Sequence, residues 1–143
     1  MDFLAAIFSG LVGAAAMTIV ASFTPALGLP RLDMAAILGT LVTQPGSRAA
    51  RFGILLHFLA GIIVAILYVA IWELVFDRVD YVIGAAVGVL HGFVAVVAVP
   101  FLLQRHPYPD SLNLEPSPRT TLSIVFGHAV FGVVVALQYG AIV

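Results

Sequence analysis

Four stretches of this chain, residues 3–26, 52–72, 81–104 and 120–143, contain no Asp, Glu, Lys or Arg. Each reaches the roughly 20 apolar residues that a helix needs to cross the hydrocarbon core of a bilayer. Strands of a membrane barrel would be shorter and would alternate, and none of the four alternates. The rest of the composition follows from these stretches. Of 143 residues, 62% are hydrophobic and 9% are charged, whereas a soluble domain carries about 25% charged residues. A net charge of −1 gives no footprint for nucleic acid. The absence of cysteine excludes disulfides, Cys-based zinc sites and thiol catalysis. The first stretch follows Asp2 rather than a basic segment, so it reads as a span and not as a signal peptide. The expected fold is an all-α membrane protein of four transmembrane helices in one bundle, with the lipid bilayer as its first partner.

All six basic residues are Arg, and Arg31, Arg48, Arg51, Arg105 and Arg119 fall in the first and third loops. The positive-inside rule then places those loops in the cytoplasm and both termini outside, with Arg78 alone in the acidic second loop. Tyr68, Trp72, Tyr81 and Tyr139 fall near the outer ends of their spans and suggest an aromatic belt there.

The first loop holds a further apolar run, residues 32–42. It is too short to span, so it is expected as an interfacial or re-entrant helix, with Pro30 in its first turn and Pro45-Gly46 ending it. The third loop, residues 105–119, carries Pro107, Pro109, Pro116 and Pro118. It is expected to be a strap and not a continuous helix.

The second and fourth spans align at an offset of 71: His57, Gly61, Ala65 and Tyr68 meet His128, Gly132, Ala136 and Tyr139. The first and third align more weakly, Gly13 meeting Gly88 and Pro25 meeting Pro100. The chain therefore reads as two duplicated helical hairpins, about 3–72 and 81–143, related by an axis along the membrane normal. Each span also carries small residues four apart: Gly10 and Ala14 with Thr18, Gly53 and Gly61 with His57, Gly84-Gly88-Gly92, and Gly132, Ala136 and Gly140 with His128. Such seams let helix backbones approach closely in lipid, where no hydrophobic force pulls helices together.

His57 and His128 lie on these seams, roughly 8–12 Å below the cytoplasmic surface at 1.5 Å per residue. Ionisable groups inside a membrane are costly and point to function. The alternative is a neutral imidazole bonding helix to helix. His91 has Ala16 as its repeat equivalent; it is expected deeper, bonded to Thr18 or to a backbone carbonyl. His106 is expected in solvent on the strap. Asp33 suits the first turn of the short helix, where the dipole favours a carboxylate, or it approaches His57 or His128. Pro25 and Pro100 are expected to kink or end their helices and to open a cavity at the depth of the two histidines.

The residues 32–39 (Leu32 to Gly39), Leu56-His57-Phe58 with Gly61 and Tyr68, Gly88 with His91-Gly92, His106-Pro107 and Gly127-His128 through Gly132 resemble a domain-of-unknown-function family of short bacterial four-span integral membrane proteins. The resemblance runs through nearly the whole chain. It implies the fold and the membrane location, a bacterial inner membrane, and supplies no activity.

No nucleotide-binding, hydrolase or metalloprotease signature occurs, and no carboxylate lies well inside a span, so a role other than catalysis is expected. Three classes remain. The first is a binding or accessory protein whose His57/His128 site takes a transition metal, a haem or a proton. The second is a purely structural subunit of a larger membrane complex. The third is a homo-oligomeric small transporter or channel.

Overall fold

The computed structural model describes residues 1–112 and 114–143. It comprises the helices α1 (Phe3–Phe23), α2 (Met34–Thr40), α3 (Ser47–Ile71), α4 (Tyr81–Gln104) and α5 (Pro118–Ile142), with no strand among the described residues. Four helical stretches, Phe3–Leu27, Ser47–Phe76, Tyr81–Gln104 and Pro118–Ile142, are long and apolar enough to cross a membrane. The four expected spans are all present, and α3 starts before its uncharged stretch, so Arg48 and Arg51 lie on its first turns.

Local chemistry sets the helix ends. Asp2, Asp33, Asp80 and Ser117 each accept a hydrogen bond from a first-turn backbone N–H of α1, α2, α4 and α5, satisfying donors that have no partner within the helix. Helix α1 gives way to a tighter turn, Thr24–Leu27, with Pro25 at its start, and Gly28 closes it at φ 71°. Left-handed backbone of this kind is accessible to glycine without a Cβ penalty. Helix α3 widens into a π turn, Trp72–Phe76, before Asp77 reverses the chain. Pro25 thus ends a helix as expected. Pro100 does not: it lies inside α4, which continues to Gln104, and it borders a separate cavity shared with the strap and α5.

The helices pack in the order α4 on α5, α5 on α1, α1 on α3 and α3 on α2. Small residues make these approaches possible. A Cβ on Gly10 would stand 2.7 Å from the Gly61 carbonyl oxygen. One on Gly84 would stand 2.5 Å from that of Gly132, and one on Gly92 2.7 Å from the Val125 Cα. The seams expected from sequence are therefore contact faces, with exceptions. Gly53 packs against the Ala35 backbone of α2 and not against a span. Thr18 and Gly140 are exposed. Helices α3 and α4 make no comparable backbone approach; the gap between them is bridged by side chains.

The short helix α2 runs antiparallel along the first turns of α3, with Ala35 against Gly53 and Gly39 against Ala49. It begins at Asp33, not at Pro30. Pro30 lies upstream, where its carbonyl accepts from Ser123 Oγ at 2.9 Å and from Thr24 Oγ1 at 3.2 Å. These two bonds hold the loop before α2 against α5 and α1.

The expected aromatic belt is not formed. Tyr81 is exposed, but Tyr68, Trp72 and Tyr139 are buried in the core with Val69, Val135 and Phe131. Their polar tips mostly find partners within the protein. Tyr139 Oη donates to Glu73 at 2.8 Å and accepts from Asp2 N–H at 3.0 Å. Trp72 Nε1 has no partner. The outward surface is apolar, with aliphatic side chains such as Leu4, Leu55, Leu90 and Leu137 and phenylalanines such as Phe8, Phe93 and Phe101, which suits contact with lipid chains.

Candidate functional site

Five helices contribute to one cavity of about 170 Å³ in the gap between α3 and α4. Its wall includes His57 of α3, His91 of α4 and His128 of α5, together with Met17 of α1 and Met34 of α2. Helix periodicity explains the placement. His57 and His128 each stand four residues before a glycine at which their helix crosses its neighbour, Gly61 and Gly132, so both rings emerge beside a crossing and not towards lipid.

Each ring uses one nitrogen to bond within the protein. His128 Nδ1 lies 2.8 Å from the Ile124 carbonyl oxygen. A carbonyl only accepts, so Nδ1 carries the hydrogen and Nε2 keeps its lone pair. Thr18 Oγ1 donates to the Ala14 carbonyl at 2.8 Å. His57 Nε2–H then donates to Thr18 Oγ1 at 3.1 Å and to Ala14 O at 3.3 Å, leaving Nδ1 with its lone pair. Tyr68 Oη lies 3.0 Å from His91 Nδ1 and 3.5 Å from the Val87 carbonyl; when the hydroxyl donates to Val87, Nδ1–H donates to it and Nε2 of His91 keeps its lone pair. None of the three remaining nitrogens has a protein partner among the described residues, and none is sealed from space, since Trp72 Nε1 is the buried unpartnered atom there. His57 and His128 thus keep one accessible lone pair each, and His91 does so as its Nδ1–H tautomer.

The histidines pair differently from the sequence expectation. The ring packed on His128 is that of His91, with centroids 4.6 Å apart and planes at 77°. Tyr68 packs edge-on against His91 and against Phe131, at 5.9 and 5.7 Å. His91, expected to lie apart from the other two, therefore belongs to the same wall. Thr18 bonds His57 and not His91. His57 reaches across to α1, whereas His128 bonds its own helix, so the two rings are held in unequal ways. No three His, Asp or Glu side chains among the described residues stand close enough together to hold one ion.

Asp33 serves as the N-cap of α2, accepting from Ala36 N–H at 2.9 Å. It also borders a second, smaller cavity, about 80 Å³, whose wall includes His57, Ser123 and Arg31. His57, Met17 and Met34 line both cavities and form the partition between them.

His106 is the residue that sequence reasoning misplaced. It is buried, 5% exposed. Its Nε2–H donates to the Ile37 carbonyl at 3.1 Å with Thr40 Oγ1 at 3.3 Å, and its Nδ1 accepts from Tyr108 N–H at 3.1 Å. The strap thereby pins the last turns of α2, which contributes Met34 and Leu38 to the cavity wall. The signal available beforehand was the proline-rich context of His106, which keeps the strap short and ordered.

Comparison of the chain with protein families, curated proteins and solved structures finds no match in any of the three.

Proposed function

We propose that this chain is a membrane-embedded binding protein for a soft, monovalent transition-metal ion, with His91 and His128 as its imidazole ligands and the thioethers of Met17 and Met34 on the same cavity wall. The observation that carries this reading is three imidazoles on one cavity wall, two of them with a lone pair left free by a carbonyl-bonded partner nitrogen. Neutral imidazole is a metal ligand as it stands. No carboxylate lines that cavity, so the charge of a bound ion would be uncompensated. Burial of charge is costly, and more so for a divalent ion. Nitrogen with thioether sulfur is a donor set that favours a soft ion such as Cu(I), which is content with two or three ligands. A porphyrin is a poorer fit, because the His91 ring already occupies the space beside His128. A proton is poorer still, since a charged imidazole would lie beside a second imidazole with no anion in the cavity.

The five arginines at the α2 end support a cytoplasmic position for that end and an outer position for the termini. A duplicated hairpin is supported by the crossings: the repeat-equivalent Gly61 and Gly132 each sit at the closest approach within their own hairpin, to Gly10 and to Gly84.

The test is anaerobic loading of the purified chain in detergent with Cu(I), or with Ag(I) as its redox-inert stand-in. A single bound ion is expected, with nitrogen and sulfur neighbours by X-ray absorption. Binding should be lost in His91→Ala and His128→Ala and kept in His106→Ala. Absence of stoichiometric metal, or binding indifferent to both cavity substitutions, rules the reading out.

A further inference from the structure

The arginines at the α2 end differ in what surrounds them. Arg48 and Arg51 lie one turn apart on the first turns of α3 and share an open groove of about 420 Å³ with Phe52 and Leu55. Phe52 is 47% exposed and Leu55 63% exposed. Arg48 also borders a second, polar groove of about 550 Å³, formed with residues of the α2–α3 loop, including Thr43 and Gln44, and with Tyr108 of the strap. No carboxylate pairs with either guanidinium among the described residues; the ion pair found there joins Met1 and Glu73 at the opposite end. Arg51 spends one N–H on the Ser47 carbonyl at 3.4 Å and keeps its other donors. Two cations on the first two turns of a helix also oppose the helix dipole, a cost that a bound anion would offset.

The order along α3 is polar groove, two free guanidiniums, then exposed apolar side chains entering the span. That order matches an amphiphile. We propose that this face binds the headgroup of an anionic phospholipid, with the phosphate on Arg48 and Arg51, the polar headgroup towards Thr43, Gln44 and Tyr108, and an acyl chain along Phe52 and Leu55. Guanidinium forks match phosphate oxygens in geometry as well as charge. The apolar continuation selects a lipid over a free anion. The site is independent of the histidine cavity.

The experiment titrates the delipidated full chain with phosphatidylglycerol or phosphatidylcholine and counts bound lipids by native mass spectrometry. The wild-type chain is expected to prefer phosphatidylglycerol. In the Arg48→Gln/Arg51→Gln variant that preference should fall about fivefold per arginine removed. Arg48→Lys/Arg51→Lys should retain part of it, showing that the fold is intact, and Arg78→Gln at the opposite end should leave it unchanged. Three outcomes overturn the proposal: an undiminished preference in the double Gln variant, an equal loss in Arg78→Gln, or displacement of phosphatidylglycerol by equimolar inorganic phosphate. The last would mark a simple anion site.

Discussion

The Nε2 of His106 lies 3.1 Å from the carbonyl oxygen of Ile37, and this bond ties the α4–α5 strap to α2 across 69 residues of sequence. The same ring accepts from Tyr108 N–H on its other side. Both nitrogens are thus committed, and the side chain works as a pin between the strap and α2.

Removing the pin has a local cost. His106→Ala leaves the partly buried Tyr108 N–H without its acceptor and the Ile37 carbonyl with only the long contact from Thr40 Oγ1 at 3.4 Å, a loss of about 1–3 kcal/mol. Hydrogen exchange should rise at the end of α2 and in the strap while the four long helices stay protected. Uniform loosening of the bundle would show that the pin is not local. Gln at position 106 restores a donor near Nε2 and should recover part of the stability.

Glycines of similar appearance should respond in opposite ways. A Cβ at Gly132 would meet the Gly84 backbone, so Gly132→Ala forces α4 and α5 apart at about 1–3 kcal/mol. At Gly140 the nearest atom to such a Cβ is Val79 Cγ1 at 3.8 Å. Gly140→Ala should therefore be neutral or stabilising by about 0.5–1 kcal/mol through helix propensity. Thermal unfolding in one detergent compares the pair, and equal effects would contradict the packing described.

The Tyr68–His91 bond is separable from packing. Tyr68→Phe keeps the ring against Phe131 and Trp72 and removes only the hydroxyl, at about 0.5–1.5 kcal/mol. In ¹⁵N spectra the His91 Nδ1 resonance should move while those of His57 hold still. A shift shared equally by both rings would mean that Tyr68 acts through the bundle as a whole.

The tautomer of His128 is a direct readout. Its Nδ1 should appear protonated and its Nε2 bare in ¹⁵N spectra, as the Ile124 carbonyl requires. Adding Ag(I) should shift Nε2 and leave Nδ1–H in place. A proton on Nε2 in the metal-free chain would remove the lone pair on which the proposed site depends.

Much of the fold was legible in the sequence because charge is excluded from lipid at high cost. Four uncharged stretches locate the spans, and Asp33 stands where the start of α2 needs an acceptor. The seam glycines named most of the contact faces, since close approach needs a missing Cβ. The site was half legible: His57 and His128 were singled out and do line one cavity.

What the sequence by itself determined is the class of the protein, the number of long helices and the short list of polar side chains among them. Only the tertiary structure decided that His91 joins His128, that Tyr68 and Trp72 turn inward, that α2 lies along α3, and that His106 is buried. The physical reason is that a helix in lipid is apolar on every side, so polarity does not mark its inner face. The inner face is chosen by which small residues let backbones meet and by which polar tips then find partners. Those partners lie tens of residues away, in other helices, where no local pattern records them.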